Sequence, residues 1–266
     1  MFLWNDFKLD NISNIPNSKE QLIKIIQIFE NKSYSITEIK NLKLYEKYET
    51  TEESFRKTLN HSNRIGILNK NEEKYMLSLE TQSLLTQKKK LDDYILYLVK
   101  KNLEMYKVCS IIVLLLRIFS GSVKSKTFYS VFALVGKNRK DESAQATVGR
   151  NLRSYFSLLK MAGVIERNGD RITLTNKHIN EFIYKGVTPI DMYFNSDIVN
   201  VKLLAKYINN FFDKDVVAKI LTCVSTYEWE NYIWTKSSLY KNQGEIENLF
   251  GEYIMTLMFK KEGKNE

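Results

Sequence analysis

Apolar residues recur along this chain at helical intervals that break off into short alternating stretches. In residues 147–162 they fall at Val148, Leu152, Phe156, Leu159 and Met161 or Ala162, close to the spacing of a helix with one buried face. Phe55 and Leu59 follow the same spacing in residues 50–65. Each run ends at a glycine, Gly66 or Gly163, where a helix terminus needs left-handed backbone. Thr50 or Thr51 opens the first run and Thr147 the second, and threonine is a favourable N-cap. In the second case the spacing predicts a helix over about Ala146–Met161, then strands over Ile165–Arg167 and Arg171–Thr175. Between the strands stands Asn168-Gly169-Asp170-Arg171, where Gly169 permits the positive φ of a tight hairpin.

The two runs are copies. Shifted by 97 residues, Phe55 falls on Leu152, Leu59 on Phe156, Arg56 on Arg153 and Gly66 on Gly163. Ile67-Leu68 falls on Val164-Ile165, Asn71 on Asn168, Tyr75 on Ile172 and Leu77 on Leu174. Helical patterns precede both copies. Before the first stand Glu20–Glu30 and Ser35–Lys43, where Ser35 and Glu38 form a capping box. Before the second stand the long Tyr94–Phe119 region and Thr127–Val135. The linker Thr86–Lys90 leads directly into Leu91–Leu98.

Helix, helix, helix and two-stranded hairpin is an order that resembles the winged helix-turn-helix family, twice over, across about residues 18–87 and 96–185. The reading is a mainly α chain with small β-hairpin wings (α+β). Its expected domains are a first winged-helix module over 1–93, a basic second module over 94–187 and a helical C-terminal interaction segment over 188–266. In that last segment Asp197–Phe212, Val216–Thr226 and Ile246–Phe259 are predicted helices, and Tyr227–Trp234 is dense in aromatics.

Composition supports a packed, helix-rich chain: of 266 residues 44% are hydrophobic, with only 10 Gly and 2 Pro. Charge separates the copies. Residues 1–95 hold 15 Lys+Arg against 14 Asp+Glu, residues 96–187 hold 16 against 6, and residues 188–266 hold 9 against 11. The formal net charge of +9 is therefore concentrated in the middle third, which points to a polyanion-binding module. The most apolar run, Val108–Phe119, includes Arg117 and falls short of the roughly 20 apolar residues of a membrane span, so it reads as a buried core helix. MFLWNDFKLD carries acidic residues where a secretory signal needs a basic start, and Cys109 and Cys223 have no metal or redox spacing. The expected setting is cytoplasmic and nucleoid-associated, in a prokaryote or phage.

In winged-helix proteins the third helix usually enters the major groove and the hairpin touches the adjacent backbone. The resemblance places that helix at Ala146–Met161, with Arg150, Asn151, Arg153, Ser154, Ser157 and Lys160 as outward candidates. Arginine can read guanine and asparagine adenine, each through two hydrogen bonds. The wing would present Arg167, Asn168 and Arg171 to phosphates, and the loop before the helix carries Lys137, Arg139 and Lys140. Lys124 and Lys126 add to the same positive field. The first copy offers Arg56, Lys57, Asn60, His61 and Arg64, but Glu52 and Glu53 near its helix start would repel phosphate.

Catalysis finds little support. The acidic pairs Asp213/Asp215, Glu228/Glu230 and Glu245/Glu247 sit on no convincing strand pair, and Ser120–Ser125 reads as a plain turn rather than a phosphate-cradling loop. His61 and His178 lack partners at ligand spacing. No catalytic residue, cofactor or metal is expected. Tyr75–Leu98 and Leu152–Thr175 also resemble the recognition region of type IIS restriction and nicking endonucleases, which implies a DNA-recognition subunit acting beside a separate nuclease in restriction or phage defence. The expected partners are double-stranded DNA and a protein, or a second copy held through the C-terminal segment, with no membrane. Two other readings stand beside it. One is a tandem winged-helix accessory subunit of a chromosome-organising ATPase complex. The other is a nuclease with its site in the C-terminal segment.

Overall fold

A computed structural model of the chain describes Leu9 and residues 12–86, 90–118, 122–135, 142–175, 177–178, 181–182, 198–200, 209, 232–236 and 255–259. These residues are mainly helical, with three small three-stranded sheets. The chain divides into two compact units. One takes the described residues up to Cys109 together with Arg150–Ile165; the other takes Ser110–Gly149 and the described residues from Glu166 on.

In the first unit α1 (Lys19–Phe29) starts at Ser18, whose hydroxyl accepts from the Gln21 N–H, and buries Leu22, Ile25, Ile26 and Phe29. Strand β1 (Tyr34–Ser35) runs straight into α2 (Ile36–Asn41). The capping box forms there as expected: Glu38 N–H donates to Ser35 Oγ at 3.2 Å and Ser35 N–H to Glu38 Oε2 at 2.7 Å. After the single turn α3 (Leu44–Lys47) comes α4 (Glu52–Ile65). Of the two candidate threonines it is Thr51 that caps α4, accepting from Ser54 N–H at 3.3 Å. Phe55, Leu59 and Ile65 form its buried face, and Gly66 ends it at φ +88°. Strands β2 (Leu68–Asn71) and β3 (Lys74–Leu77) form the hairpin. Strand β1 adds to β3 and makes the sheet order β1-β3-β2.

Helices α5 (Leu79–Thr86) and α6 (Leu91–Lys101) follow in that unit. The Thr81 hydroxyl donates to the Ile67 carbonyl at 2.7 Å, shares a hydrogen bond with the Tyr94 hydroxyl and lies 2.8 Å from Ser78 Oγ. Ion pairs Lys19–Asp92 and Lys101–Glu80 tie α6 to α1 and α5. The Tyr94–Phe119 region is thus two helices: α7 (Leu103–Ile118) restarts after Asn102, whose Oδ1 accepts from Met105 N–H at 3.1 Å. Every residue from Val108 to Leu116 is at most 2% exposed. Such all-round burial suits an apolar helix inside a protein. Among the described residues no helix is long and apolar enough to cross a membrane.

Later in the chain the connection repeats, with α9 (Glu142–Met161) running from one unit into the other. Strand β4 (Ser122–Lys124) leads without a gap into α8 (Ser125–Val135). Helix α9 (Glu142–Met161) starts earlier than its apolar spacing indicates, so Thr147 lies within it and is not its cap. Gly163 follows at φ +73°, then β5 (Ile165–Asn168) and β6 (Arg171–Leu174), with Gly169 at φ +59° in the turn. The sheet order is β4-β6-β5. Both hairpin strands begin and end 97 residues after those of the first copy.

The C-terminal expectation needs correction. Its described parts are strands: β7 (Ile198–Asn200), β8 (Tyr232–Lys236) and β9 (Met255–Phe259), antiparallel in the order β7-β9-β8. Strands β7 and β9 fall within two of the predicted helices, and β8 overlaps the end of the aromatic stretch. Met255-Thr-Leu-Met-Phe259 is apolar but for Thr256, and such a short run fits a strand as well as a helix. Val216–Thr226 lies outside the described residues.

Candidate nucleic-acid interface

Helix α9 has one narrow solvent edge from residue 150 on. Leu152, Tyr155, Phe156, Leu158 and Leu159 are at most 2% exposed. Arg150, Arg153 and Lys160 are exposed and Ser157 is half-buried. These four are spaced three, four and three residues apart, which stacks them in a single stripe along the helix. Ser157 Oγ donates to the Arg153 carbonyl at 3.0 Å, so its hydroxyl proton is already engaged. Lys160 is close enough to Glu20 to affect it. The Glu20 carboxyl is held below its usual range first by a backbone hydrogen bond, then by the Ser18 hydroxyl, with Lys19 and Lys160 adding their charge.

Two of the helix candidates are not outward. Asn151 is 9% exposed and Ser154 7%. Asn151 and Ser154 stand four residues before the buried Tyr155 and Leu158 on the same helix faces, so both fall inside a buried arc wider than the apolar spacing suggests. The asparagine that could read adenine is therefore turned away from solvent. Near the start of α9, Gly149 marks a close approach to α8: a Cβ built there would stand 3.1 Å from Tyr129 Cδ2.

The second sheet carries a group of side chains that the chain's periodicity does not reveal. Ser120–Ser125 is not a plain turn; Ser122, Val123 and Lys124 pair in register with Thr173, Ile172 and Arg171 of β6. Directly paired residues point to the same side of a sheet. Val123 and Ile172, 3% and 0% exposed, face the core. Ser122, Lys124, Arg171 and Thr173 therefore share the other face. Arg171 Nη1 donates to Ser122 Oγ at 3.3 Å, and Ser122 Oγ lies 3.3 Å from Thr173 Oγ1. Ser125 N–H donates to the Asp170 carbonyl at 2.6 Å and fixes the turn beside them. Lys126 is exposed one residue further on. In the hairpin Arg167 is exposed, with Nε donating to the Gly169 carbonyl at 3.2 Å, and Asn168 is exposed at the turn. Lys137, Arg139 and Lys140 lie outside the described residues.

Ser122 and Thr173 were missed as contact candidates. The signal for β4 is faint, an apolar Val123 between two polar residues just ahead of a helix. Tyr34-Ser35 before α2 is its counterpart.

The first copy uses the matching positions differently. Glu53 stands 97 residues before Arg150, a reversal of charge, and its carboxylate holds Lys57 Nζ at 2.6 Å. That hydrogen bond and the Lys57 charge keep the Glu53 carboxyl below its usual range. Asn60 accepts a hydrogen bond from the Tyr75 hydroxyl, and Lys70 Nζ stands 5.6 Å from the Tyr75 ring centroid. Lys74 reaches Glu38 at 3.7 Å. Arg56 is exposed. His61 is a structural residue: its Nδ1 accepts from Asn14 N–H at 3.1 Å, and burial lowers its pKa.

Burial pushes the Cys109 thiol up, which disfavours the nucleophilic thiolate. Among the described residues no group of His, Cys, Asp or Glu could hold a metal ion. The acidic pairs Asp213/Asp215, Glu228/Glu230 and Glu245/Glu247 lie outside them. Comparison of the chain with protein-family models, curated proteins and solved structures gives no match, so its functional reading rests on the geometry above.

Proposed function

We propose that the chain is a non-catalytic double-stranded DNA-binding protein, built on two tandem winged-helix modules and contacting DNA through the second. The observation that carries this is the exposed Arg150–Arg153 edge of α9, on a helix whose other faces are buried from residue 150 on. The element order helix–strand–helix–helix–hairpin, with the single turn α3 inserted in the first copy and the first strand added to the last in each, supports the winged-helix reading. The concentration of positive charge in residues 96–187 supports the choice of copy. With Asn151 buried, binding leans on arginines, which serve guanine edges and phosphates alike. A protein partner, reached through the C-terminal segment, fits a role as the recognition subunit of a restriction or regulatory complex.

The test is duplex affinity against salt. Each phosphate neutralised contributes about 0.9 to the slope of log K against log salt. Replacing Arg150 and Arg153 by Ala should flatten that slope by up to about 1.8 if both contact phosphate, and weaken binding in either case. Unchanged affinity and slope would remove α9 from the interface.

A second reading has one observation in its favour. Leu79, Leu103 and Tyr97 are 75%, 62% and 44% exposed, near the Glu80–Lys101 ion pair of the first unit. Exposed apolar residues of this kind suit a protein-binding accessory subunit, such as that of a chromosome-organising ATPase complex. A chain that ignores duplex DNA but co-purifies with an ATPase would favour it.

A further inference from the structure

The first copy gathers four side chains at the seam between α4 and its hairpin. Lys70 of β2 and Tyr75 of β3 are directly paired across the antiparallel strands, so both rise from the same side of the sheet. Tyr75 is 2% exposed, and its hydroxyl reaches α4, where it donates to Asn60 Oδ1. Lys70 Nζ stands 5.6 Å from the centroid of the same ring. Arg56 lies one helical turn before Asn60, on the same face of α4. Burial raises the pKa of the Tyr75 hydroxyl and the Arg56 charge opposes that rise, so the guanidinium too is within electrostatic reach of this side chain. Arg56, Asn60 and Lys70 are thus exposed around one buried tyrosine.

The chemistry of this notch is one-sided. The Asn60 oxygen is engaged by the tyrosine hydroxyl, so the amide offers a ligand its N–H donors rather than its oxygen. Guanidinium and ammonium are donors only. A ligand held by all three accepts hydrogen bonds and carries negative charge. The surrounding charge decides between a single anion and a chain of them. Residues 50–77 hold five Lys+Arg against four Asp+Glu, while their counterparts 147–174 hold five against two. Glu53, three residues before Arg56, is exposed and holds Lys57. A nucleic-acid strand would bring a phosphate about every 3.4 Å past these carboxylates, whereas an acidic side chain brings one charge.

We propose that Arg56, Asn60 and Lys70 form a notch for the carboxylate of an aspartate or glutamate side chain on a partner protein, with the Tyr75 hydroxyl holding the Asn60 amide in its donating orientation. Arg56 and Asn60 donate to the carboxylate oxygens, and Lys70 adds the second positive charge. This role is independent of the DNA-binding reading: the first copy takes a protein ligand, whatever the second contacts.

The probe is a short capped peptide with one glutamate, compared with its glutamine twin. Binding is followed through the Asn60 side-chain amide signals in NMR spectra of the full chain, identified by their loss in N60A. Wild type, R56Q, K70Q, the double variant R56Q/K70Q and the charge-conserving K70R are titrated, and thermal melts show that each is folded. Duplex affinity is measured for the wild type, R56Q/K70Q and R150A/R153A. The glutamate peptide should shift the Asn60 signals and the glutamine twin should not. R56Q and K70Q should each weaken peptide binding about two- to fivefold, the worth of an exposed ion pair, and K70R should bind as the wild type does. R56Q/K70Q should cost duplex affinity far less than R150A/R153A. If the glutamate peptide leaves Asn60 unmoved, or its twin moves it equally, while R150A/R153A weakens duplex binding, the notch is wrong and the DNA-binding reading stands. If duplex moves the Asn60 signals and R56Q/K70Q weakens duplex binding as much as R150A/R153A does, the notch takes nucleic acid and the carboxylate assignment is overturned. If the wild type ignores duplex but binds the glutamate peptide, the notch stands and the DNA-binding reading falls. Binding of neither would overturn both.

Discussion

His61 shows how a single side chain couples this fold to pH. Its Nδ1 accepts the Asn14 N–H at 3.1 Å, and only the neutral ring can do so. Burial, with a smaller contribution from the Arg64 charge, lowers its pKa from the ordinary value of 6.5. Its contribution to stability is therefore complete above that ordinary value and is lost as pH falls through the lower, folded-state pKa. The melting temperature of the wild type should fall more steeply below pH 6.5 than that of H61N, which keeps an acceptor but does not titrate. Parallel slopes for the two proteins would show that the bond carries no pH dependence. Other residues are legible only in part. Arg150 and Arg153 are recognisable because they sit three apart on a periodic run. Asn151 and Ser154 mislead because the apolar spacing marks the centre of the buried face and not its width.

At the scale of elements, α8 and α9 meet at Gly149, and the side chain across from it decides what that contact tolerates. A Cβ at this position would stand 3.1 to 3.2 Å from three atoms of the Tyr129 ring, which is itself half-buried. Alanine at a helix-interior glycine gains about 1 kcal/mol in propensity. A ring that can slide a few tenths of an ångström offsets most of that, so G149A should lie within about 1 kcal/mol of the wild type. A longer side chain has no such escape: G149L should destabilise by about 1–3 kcal/mol, the range for overpacked contacts. Chemical denaturation checks both. If G149L proves as stable as G149A, α8 and α9 are not in close contact there.

Helices and hairpins are readable along the chain because their determinants are local: Thr51, Ser35 with Glu38, and the left-handed Gly66, Gly163 and Gly169. Strands β1 and β4 are not, because a strand of two or three residues has no periodicity. What defines them is a partner far along the chain, as in Ser122 and Thr173, which lie 51 positions apart. The C-terminal strands escaped for another reason, since short apolar runs there match both periods.

Among the described residues of the whole molecule, a helix-and-hairpin arrangement occurs twice at a spacing of 97 residues, and the sequence around the second is the more basic. Residues 1–95 are nearly balanced and residues 96–187 are strongly basic, although the hairpins of the two halves superpose in register along the sequence. On the proposed reading only the second arrangement contacts DNA. At chain concentrations well above the dissociation constant, titration with a short duplex should saturate at one duplex-binding site per chain. A second equivalent site would mean that the first copy also binds, despite Glu53 on Lys57 and Glu38 on Lys74. The charge bias was visible in the residue counts. The meeting of Lys124 with Arg171 was not, since it depends on which strand pairs with which.

The pairing of Lys124 with Arg171 sets the second sheet apart from the first. There the matching pair is Ser35 with Lys74, and Glu38 answers the lysine. On the proposed DNA-binding reading the two sheets are free to diverge separately: a change at Glu38 falls on the first alone and a change at Lys124 on the second alone, so that stability and binding need not be traded at a single site.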